Sequence, residues 1–194
     1  HNRLAVFSYK PAPVAVSWLG LPMTTGVPEI DYVLGDPHAL PQAFANQFTE
    51  SIWHLPEIYL CLTAPAEQVE VGPLPASKNQ SITFGSFNNL SKMNDKVVEV
   101  WSRILKVLPN SRLLLKTKQL SDPNVCSQTQ NRFMLHGVSA DRLILKSTVN
   151  ERAKHLSVYN EIDIALDTFF YPGVTTSAEA LWMGVPVLSL KGHD

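Results

Sequence analysis

The pattern of apolar and polar positions divides the chain into two unlike halves. From Ser81 onward, short apolar runs alternate with amphipathic stretches. Residues 81–87 predict a strand. Val97, Trp101, Ile104, Leu105 and Leu108 then recur at helical spacing, so a helix is expected from an Asn94 N-cap to the Pro109-Asn110 stop. Residues 112–116 carry an unbroken apolar centre, the pattern of a strand covered on both faces. A helix over 123–135 closes at His136-Gly137, a strand follows at 142–146, and Asn150 opens a short helix through Tyr159. Strand 162–167, helix 175–183 and strand 185–190 complete the series. Strands alternating with helices specify right-handed crossovers and a parallel sheet, so 81–194 predicts a Rossmann-like lobe.

The first half is punctuated differently. The chain holds 14 prolines, most of them early, and they separate short candidate strands at 14–19, 30–36 and 51–56. Residues 64–80 are rich in Pro, Glu, Ala, Ser and Gly and lack either periodicity. They predict a linker between a small first lobe, 1–63, and the larger second one. The chain starts without Met, and its last predicted strand is followed by no helix, so both ends read as cuts through a larger protein.

Composition narrows the classes. In 194 residues, 16 Lys and Arg meet 17 Asp and Glu, a formal net charge of −1, which leaves no electrostatic footprint for nucleic acid or an anionic membrane. Hydrophobic residues at 45% and charged residues at 17% suit a packed core rather than disorder. No apolar run approaches the ~20 residues of a membrane span. The two cysteines, Cys61 and Cys126, form neither a disulfide framework nor a metal spacing, and a reducing, cytoplasmic setting is expected.

In an open parallel sheet, ligands sit beyond the carboxyl ends of the strands. Two such loops carry chemistry. Residues 86–92, Ser-Phe-Asn-Asn-Leu-Ser-Lys, bring amides, hydroxyls and the Lys92 ammonium ahead of a helix. Residues 167–177 bring Gly173, which permits close backbone approach, and the hydroxyls of Thr175 and Thr176 at a helix start. A helix N-terminus presents unpaired N–H groups and attracts anions. Glu179, one turn further on, could accept hydrogen bonds from a ribose diol. Together these groups suit a nucleoside diphosphate. The same residues are also compatible with ordinary helix capping, Asn88-Asn89 with a plain turn, and His155 with a core or surface imidazole. No Gly-x-Gly-x-x-Gly, Walker-type loop, Asp-x-Asp pair, nucleophile elbow or zinc spacing is present, so dinucleotide dehydrogenase, P-loop and hydrolase chemistry have no motif here.

Three longer segments carry a resemblance. Residues 11–26 with Ile30-Asp31-Tyr32, residues 84–92, and residues 163–168 with 175–186 resemble, in order, the signatures of O-linked N-acetylglucosamine transferases of the SPINDLY type. The resemblance implies an α/β, GT-B-type glycosyltransferase fragment: a nucleotide-sugar-binding Rossmann-like lobe plus part of the acceptor-side lobe. It further implies inverting, metal-independent transfer of a sugar from a nucleotide sugar, UDP-N-acetylglucosamine foremost, to Ser or Thr hydroxyls of a protein acceptor, with no cofactor. By this resemblance Lys92 would be the catalytic group that binds the diphosphate, with Asn89 beside it. Arg152 and His155 would lie against the base, Thr175 and Thr176 at the phosphates, Glu179 at the ribose, and Leu19 and Gly20 over the sugar. Val174, Asn89 and Met23 depart from residues common in the family, so UDP-glucose and GDP-fucose stay open as donors. Helical repeats would precede this region in the parent, and the chain alone would be inactive. The rival readings are a sugar-nucleotide epimerase, a small-molecule glycosyltransferase, or a non-catalytic nucleotide-binding module of the same fold.

Overall fold

The computed structural model describes residues 3–191; the terminal segments that read as cuts, 1–2 and 192–194, lie outside them. Packing divides the chain into two compact units, His1–Thr63 and Ala64–Asp194.

The first unit holds a parallel sheet of order β1-β2-β3, with β1 Val16–Ser17, β2 Tyr32–Gly35 and β3 Ser51–His54. Ala15, Ile30, Val33, Leu40 and Tyr59 form its core. Strand β1 is far shorter than the expected 14–19, because Leu19 takes a left-handed backbone (φ 67°) and ends the extended run. Turns replace helices here. Asp36, 4% exposed, accepts the N–H groups of His38, Ala39 and Tyr59. Glu50 likewise accepts from the Thr25 N–H and the Thr24 hydroxyl.

The second unit is a five-stranded, wholly parallel sheet of order β6-β5-β4-β7-β8. Its strands are β4 Thr83–Ser86, β5 Arg112–Lys116, β6 Leu143–Lys146, β7 Ile164–Leu166 and β8 Val187–Leu188. A short helix α1, Pro75–Asn79, precedes them. Helices α2 Asp95–Val107 and α3 Pro123–Met134 connect β4 to β5 and β5 to β6; α4 Arg152–Ser157 and α5 Thr175–Trp182 connect β6 to β7 and β7 to β8. The apolar face of α2, with Val97, Trp101 and Leu105, packs with Leu113 and Leu115 on one side of the sheet. Leu114 points the other way, into a second cluster with Phe87, Leu156, Tyr159 and Met183. That alternation along β5 is the period of a strand buried on both faces.

Local signals fixed several ends. Asn94 caps α2 by accepting from the Val97 N–H at 3.0 Å. Asn150 does not cap α4, which begins at Arg152 without a side-chain cap. The stretch 64–80, expected as a bare linker, lies along the second unit. Buried Asp163 accepts the N–H groups of Ala76 and Thr83, both at 2.8 Å, so one carboxylate fastens α1 to the start of β4. Asn160 accepts the Gly72 N–H at 2.9 Å, and Val69 packs on the second cluster. These attachments run across 80 or more residues, which is why local composition does not reveal them.

Candidate functional site

A doubly wound sheet has a crevice where successive crossovers depart in opposite directions. In the order β6-β5-β4-β7-β8 that point lies between β4 and β7. The loops leaving these two strands are the two that the sequence marked, and the structure joins them.

Lys92 ends the single 3-10 turn Leu90–Lys92 after β4. Its Nζ donates to the Pro172 carbonyl at 3.0 Å and stands 4.3 Å from the centre of the Tyr171 ring, so it reaches across to the β7–α5 loop. Burial holds its ammonium below the ordinary lysine value, against the opposing pull of Asp167. Asn88 completes the junction. Its amide donates to Asp167 Oδ1 (3.1 Å), and its carbonyl accepts from the Thr176 hydroxyl (3.2 Å). Asp167, 6% exposed at the end of β7, also accepts the Gly173 N–H (2.7 Å) and the Ser189 hydroxyl (3.0 Å). Gly173 has no room for a side chain. A Cβ there would run into the Thr176 hydroxyl and come within 2.9 Å of Asn88 Oδ1. Ser86, 5% exposed, lines the same crevice, and its hydroxyl finds no hydrogen-bond partner among the described residues.

Helix α5 starts with Val174 at its N-cap, and no side chain caps its first turn. Ser177 instead turns its hydroxyl back to the Gly173 carbonyl at 3.1 Å. The capping reading of Thr175-Thr176-Ser177 is therefore not what the structure contains. Exposed Thr175 and half-buried Thr176 sit at an open helix start beside the Lys92 loop. That arrangement attracts an anion through N–H groups and a partial positive charge. Asn89 plays a local part here: it caps the turn that carries Lys92 by accepting from the Ser91 N–H at 2.9 Å.

Glu179 lies deep, one turn into the helix. It is 3% exposed, on the inner side of α5. Arg152 Nη1 lies 2.6 Å from Oε1, while His155 Nε2 (3.0 Å) and the Tyr159 hydroxyl (3.1 Å) donate to Oε2. Burial pushes the Glu179 carboxyl up, but the hydrogen bond from His155 and the charge and hydrogen bond of Arg152 outweigh it and hold it below the ordinary value. Burial and the facing carboxylate push the Tyr159 phenol above its own. Arg152 and His155 are thus gathered with Glu179 on the α4–α5 side of the crevice. Leu19 and Gly20 belong to the first unit, where Leu19 is exposed and the Gly20 N–H turns back to the Trp18 carbonyl at 2.9 Å.

Sequence reasoning passed over Asn88, Asp167, Tyr159 and Lys116. Lys116 and Asp167 each put an ionisable group at or just past the carboxyl end of a buried strand. That placement was a readable signal, since a strand covered on both faces accepts such a residue only with a partner. Among the described residues no three His, Cys, Asp or Glu side chains cluster as a metal site would require, and no helix is long and apolar enough to cross a membrane.

A wholly parallel sheet with a two-loop junction and an open helix start at its switch point is the architecture of a GT-B-type glycosyltransferase fold. The chain belongs to glycosyl transferase family 41, whose model matches residues 1–63 and 73–194. It is 41% identical, over 99% of its length, to a probable UDP-N-acetylglucosamine–peptide N-acetylglucosaminyltransferase SPINDLY of Arabidopsis thaliana. It is 33% identical over 97% of its length to the SEC protein of the same description and plant. A solved O-GlcNAc transferase mutant from Thermobaculum terrenum shares 41% identity and a TM-score of 0.92, over 99% of this chain and 36% of that one. The chain spans about a fifth of the length of the curated relatives it matches (21% and 20%).

Proposed function

We propose that the chain forms the donor-binding region of a protein O-glycosyltransferase that moves N-acetylglucosamine from UDP-N-acetylglucosamine to Ser or Thr hydroxyls. The observation that carries this reading is Lys92, half-buried and bonded to the loop that precedes α5. The acceptor oxygen attacks the anomeric carbon from the face opposite the diphosphate and releases its proton to solvent. The bond from that carbon to the β-phosphate oxygen breaks, and its electron pair leaves on the diphosphate. Negative charge grows at the phosphates, and fixed donors placed there before the reaction stabilise it without reorganisation. Lys92, Thr175, Thr176 and the first-turn N–H groups of α5 supply those donors, with Gly173 allowing close approach and no metal ion taking part. Arg152 and His155 border the base side, with Glu179 anchoring both from beneath. Two free cysteines, Cys61 exposed and Cys126 half-buried, support a cytoplasmic setting. A protein acceptor is supported by the likeness to relatives described as peptide N-acetylglucosaminyltransferases.

The test is calorimetric titration of UDP, GDP and uridine into the intact protein carrying this sequence, followed by transfer assays with UDP-N-acetylglucosamine, UDP-glucose and GDP-fucose. UDP binds, and uridine binds far more weakly because it lacks the charge that Lys92 and α5 meet. Preference for GDP would move the donor to GDP-fucose, and equal binding of UDP and uridine would remove the diphosphate site. Transfer to a free sugar but not to peptide would favour a small-molecule enzyme.

Gly173→Ala checks the junction. The added methyl pushes Thr176 and Asn88 apart, so UDP affinity falls about tenfold, the scale of one lost hydrogen bond, with helix content unchanged by circular dichroism. Unaltered affinity would detach this junction from ligand binding.

A further inference from the structure

Behind the candidate site lies a buried lysine that the proposed chemistry leaves unused. Lys116 ends β5 and is 2% exposed. Among the described residues its ammonium contacts no carboxylate. Nζ lies 2.7 Å from His155 Nδ1, 3.2 Å from the His155 carbonyl, and 5.1 Å from the centre of the Phe87 ring. A charge held this deep without a direct counter-ion is costly unless hydrogen-bonded, and a specific role is one way to explain its presence.

Donor arithmetic fixes what that contact does. A lysine ammonium has three donors and no acceptor, so Nδ1 of His155 must accept. The imidazole proton is then on Nε2, where it donates to Glu179 Oε2 at 3.0 Å. Glu179, acceptor-only as a carboxylate, fits that assignment, and its Oε1 is left for Arg152 at 2.6 Å. The result is a hydrogen-bonded chain, Lys116 to a neutral His155 to Glu179 to Arg152, crossing from β5 to α4 to α5 and back. Resting on the UDP-binding reading above, we propose that Lys116 is a positioning residue: it locks His155 as the neutral Nε2–H tautomer and so keeps Glu179 and Arg152 aligned beside the nucleotide pocket.

The surroundings agree. The charged or titratable groups around His155 are Lys116 from β5, Lys146 from β6, Glu179 from α5, Arg152 from its own helix, and Tyr159 and Glu161 from the turn after it. Lys146 is engaged by Glu161 at 2.6 Å, which leaves Lys116 as the cation on the imidazole. Burial pulls the Lys116 ammonium down to about 8, with the Glu179 charge opposing that pull. It therefore remains a donor at neutral pH.

The experiment is nitrogen-15 NMR of histidine-labelled protein at neutral pH, paired with UDP titration. Wild-type His155 is expected as one tautomer with Nε2 protonated and Nδ1 bare. In Lys116→Met that single signature is lost, to a doubly protonated or mixed ring, and UDP binds about tenfold more weakly, the effect of one buried hydrogen bond. In Lys116→Gln an amide donor persists without charge, and the Nε2–H signature returns. An Nδ1–H tautomer in wild type overturns the proposal by itself, as does an unchanged His155 signature in a folded Lys116→Met. Should wild type show the expected tautomer yet bind no UDP, the donor reading falls while the lysine's hold on His155 stands.

Discussion

On the proposed donor-site reading, Lys92→Ala in the intact protein is expected to lower turnover in the transfer assay by roughly 10²-fold or more, the scale of removing one preorganised donor from a developing anion. The direction follows from where the ammonium sits. Nζ is half-buried, and its contacts among the described residues are one carbonyl, Pro172, and one ring, Tyr171. Two of its three protons are thus available to phosphate oxygens. A lysine in this position acts on the leaving group as charge appears, so kcat falls more than the Michaelis constant for the donor rises. Lys92→Arg does not restore the rate, because a planar fork does not reproduce one bond to Pro172 and a face-on approach to Tyr171. Equal losses in UDP affinity and in kcat would instead assign Lys92 to holding the β7–α5 loop. An unchanged rate removes it from the mechanism.

The positions of Lys92, Thr175 and Thr176 were legible because each follows a strand in a sequence whose alternation of strand and helix announces a parallel sheet. Such a sheet places those loops on one edge whatever the details. The strand order then decided which loops meet. Joining β4 to β7 puts residues 79 positions apart, Asn88 and Asp167, at hydrogen-bond distance. Nothing in either local pattern encodes that pairing, and Asn88 read equally well as a turn. The burial of Glu179 was not legible for a related reason. Its spacing from Thr175 placed it one turn into the helix, but only packing against Tyr159 and His155 determines that this turn faces inward. Lys116 was passed over because a charged residue ending an apolar run reads as the solvent-facing end of a strand. Here the run continues into the interior, and the charge is met by a ring and an imidazole. In the first unit, Leu19 shortened the expected strand through a left-handed backbone that a leucine side chain does not advertise.

Glu179→Ala is expected to destabilise the protein by about 3 kcal/mol, the lower end of what breaking a buried ion pair costs. The three partners decide the size. Arg152, with 41% of its side chain exposed, recovers water when the carboxylate goes, so its loss is small. Tyr159, 1% exposed, still has the Thr176 carbonyl within 3.1 Å. The His155 Nε2–H has no such substitute and becomes an unsatisfied donor beside a new cavity. For a chain of this length that amounts to a fall in melting temperature on the order of 10 °C. Glu179→Gln separates shape from charge. It fills the space and can still accept from His155 and Tyr159, yet it gives Arg152 no counter-charge, so its deficit is smaller and depends on pH. Because the folded carboxyl is held below its ordinary value of 4.5, its contribution is present above that pH and disappears as pH falls through the lower folded value. Wild type and Glu179→Gln should therefore melt apart at pH 6 to 7 and draw together in acid, as the pH falls through the lowered folded value. A gap that persists unchanged into acid would mean that Glu179 serves by its shape and hydrogen bonds, and that Arg152 is held beside the crevice by something other than its charge.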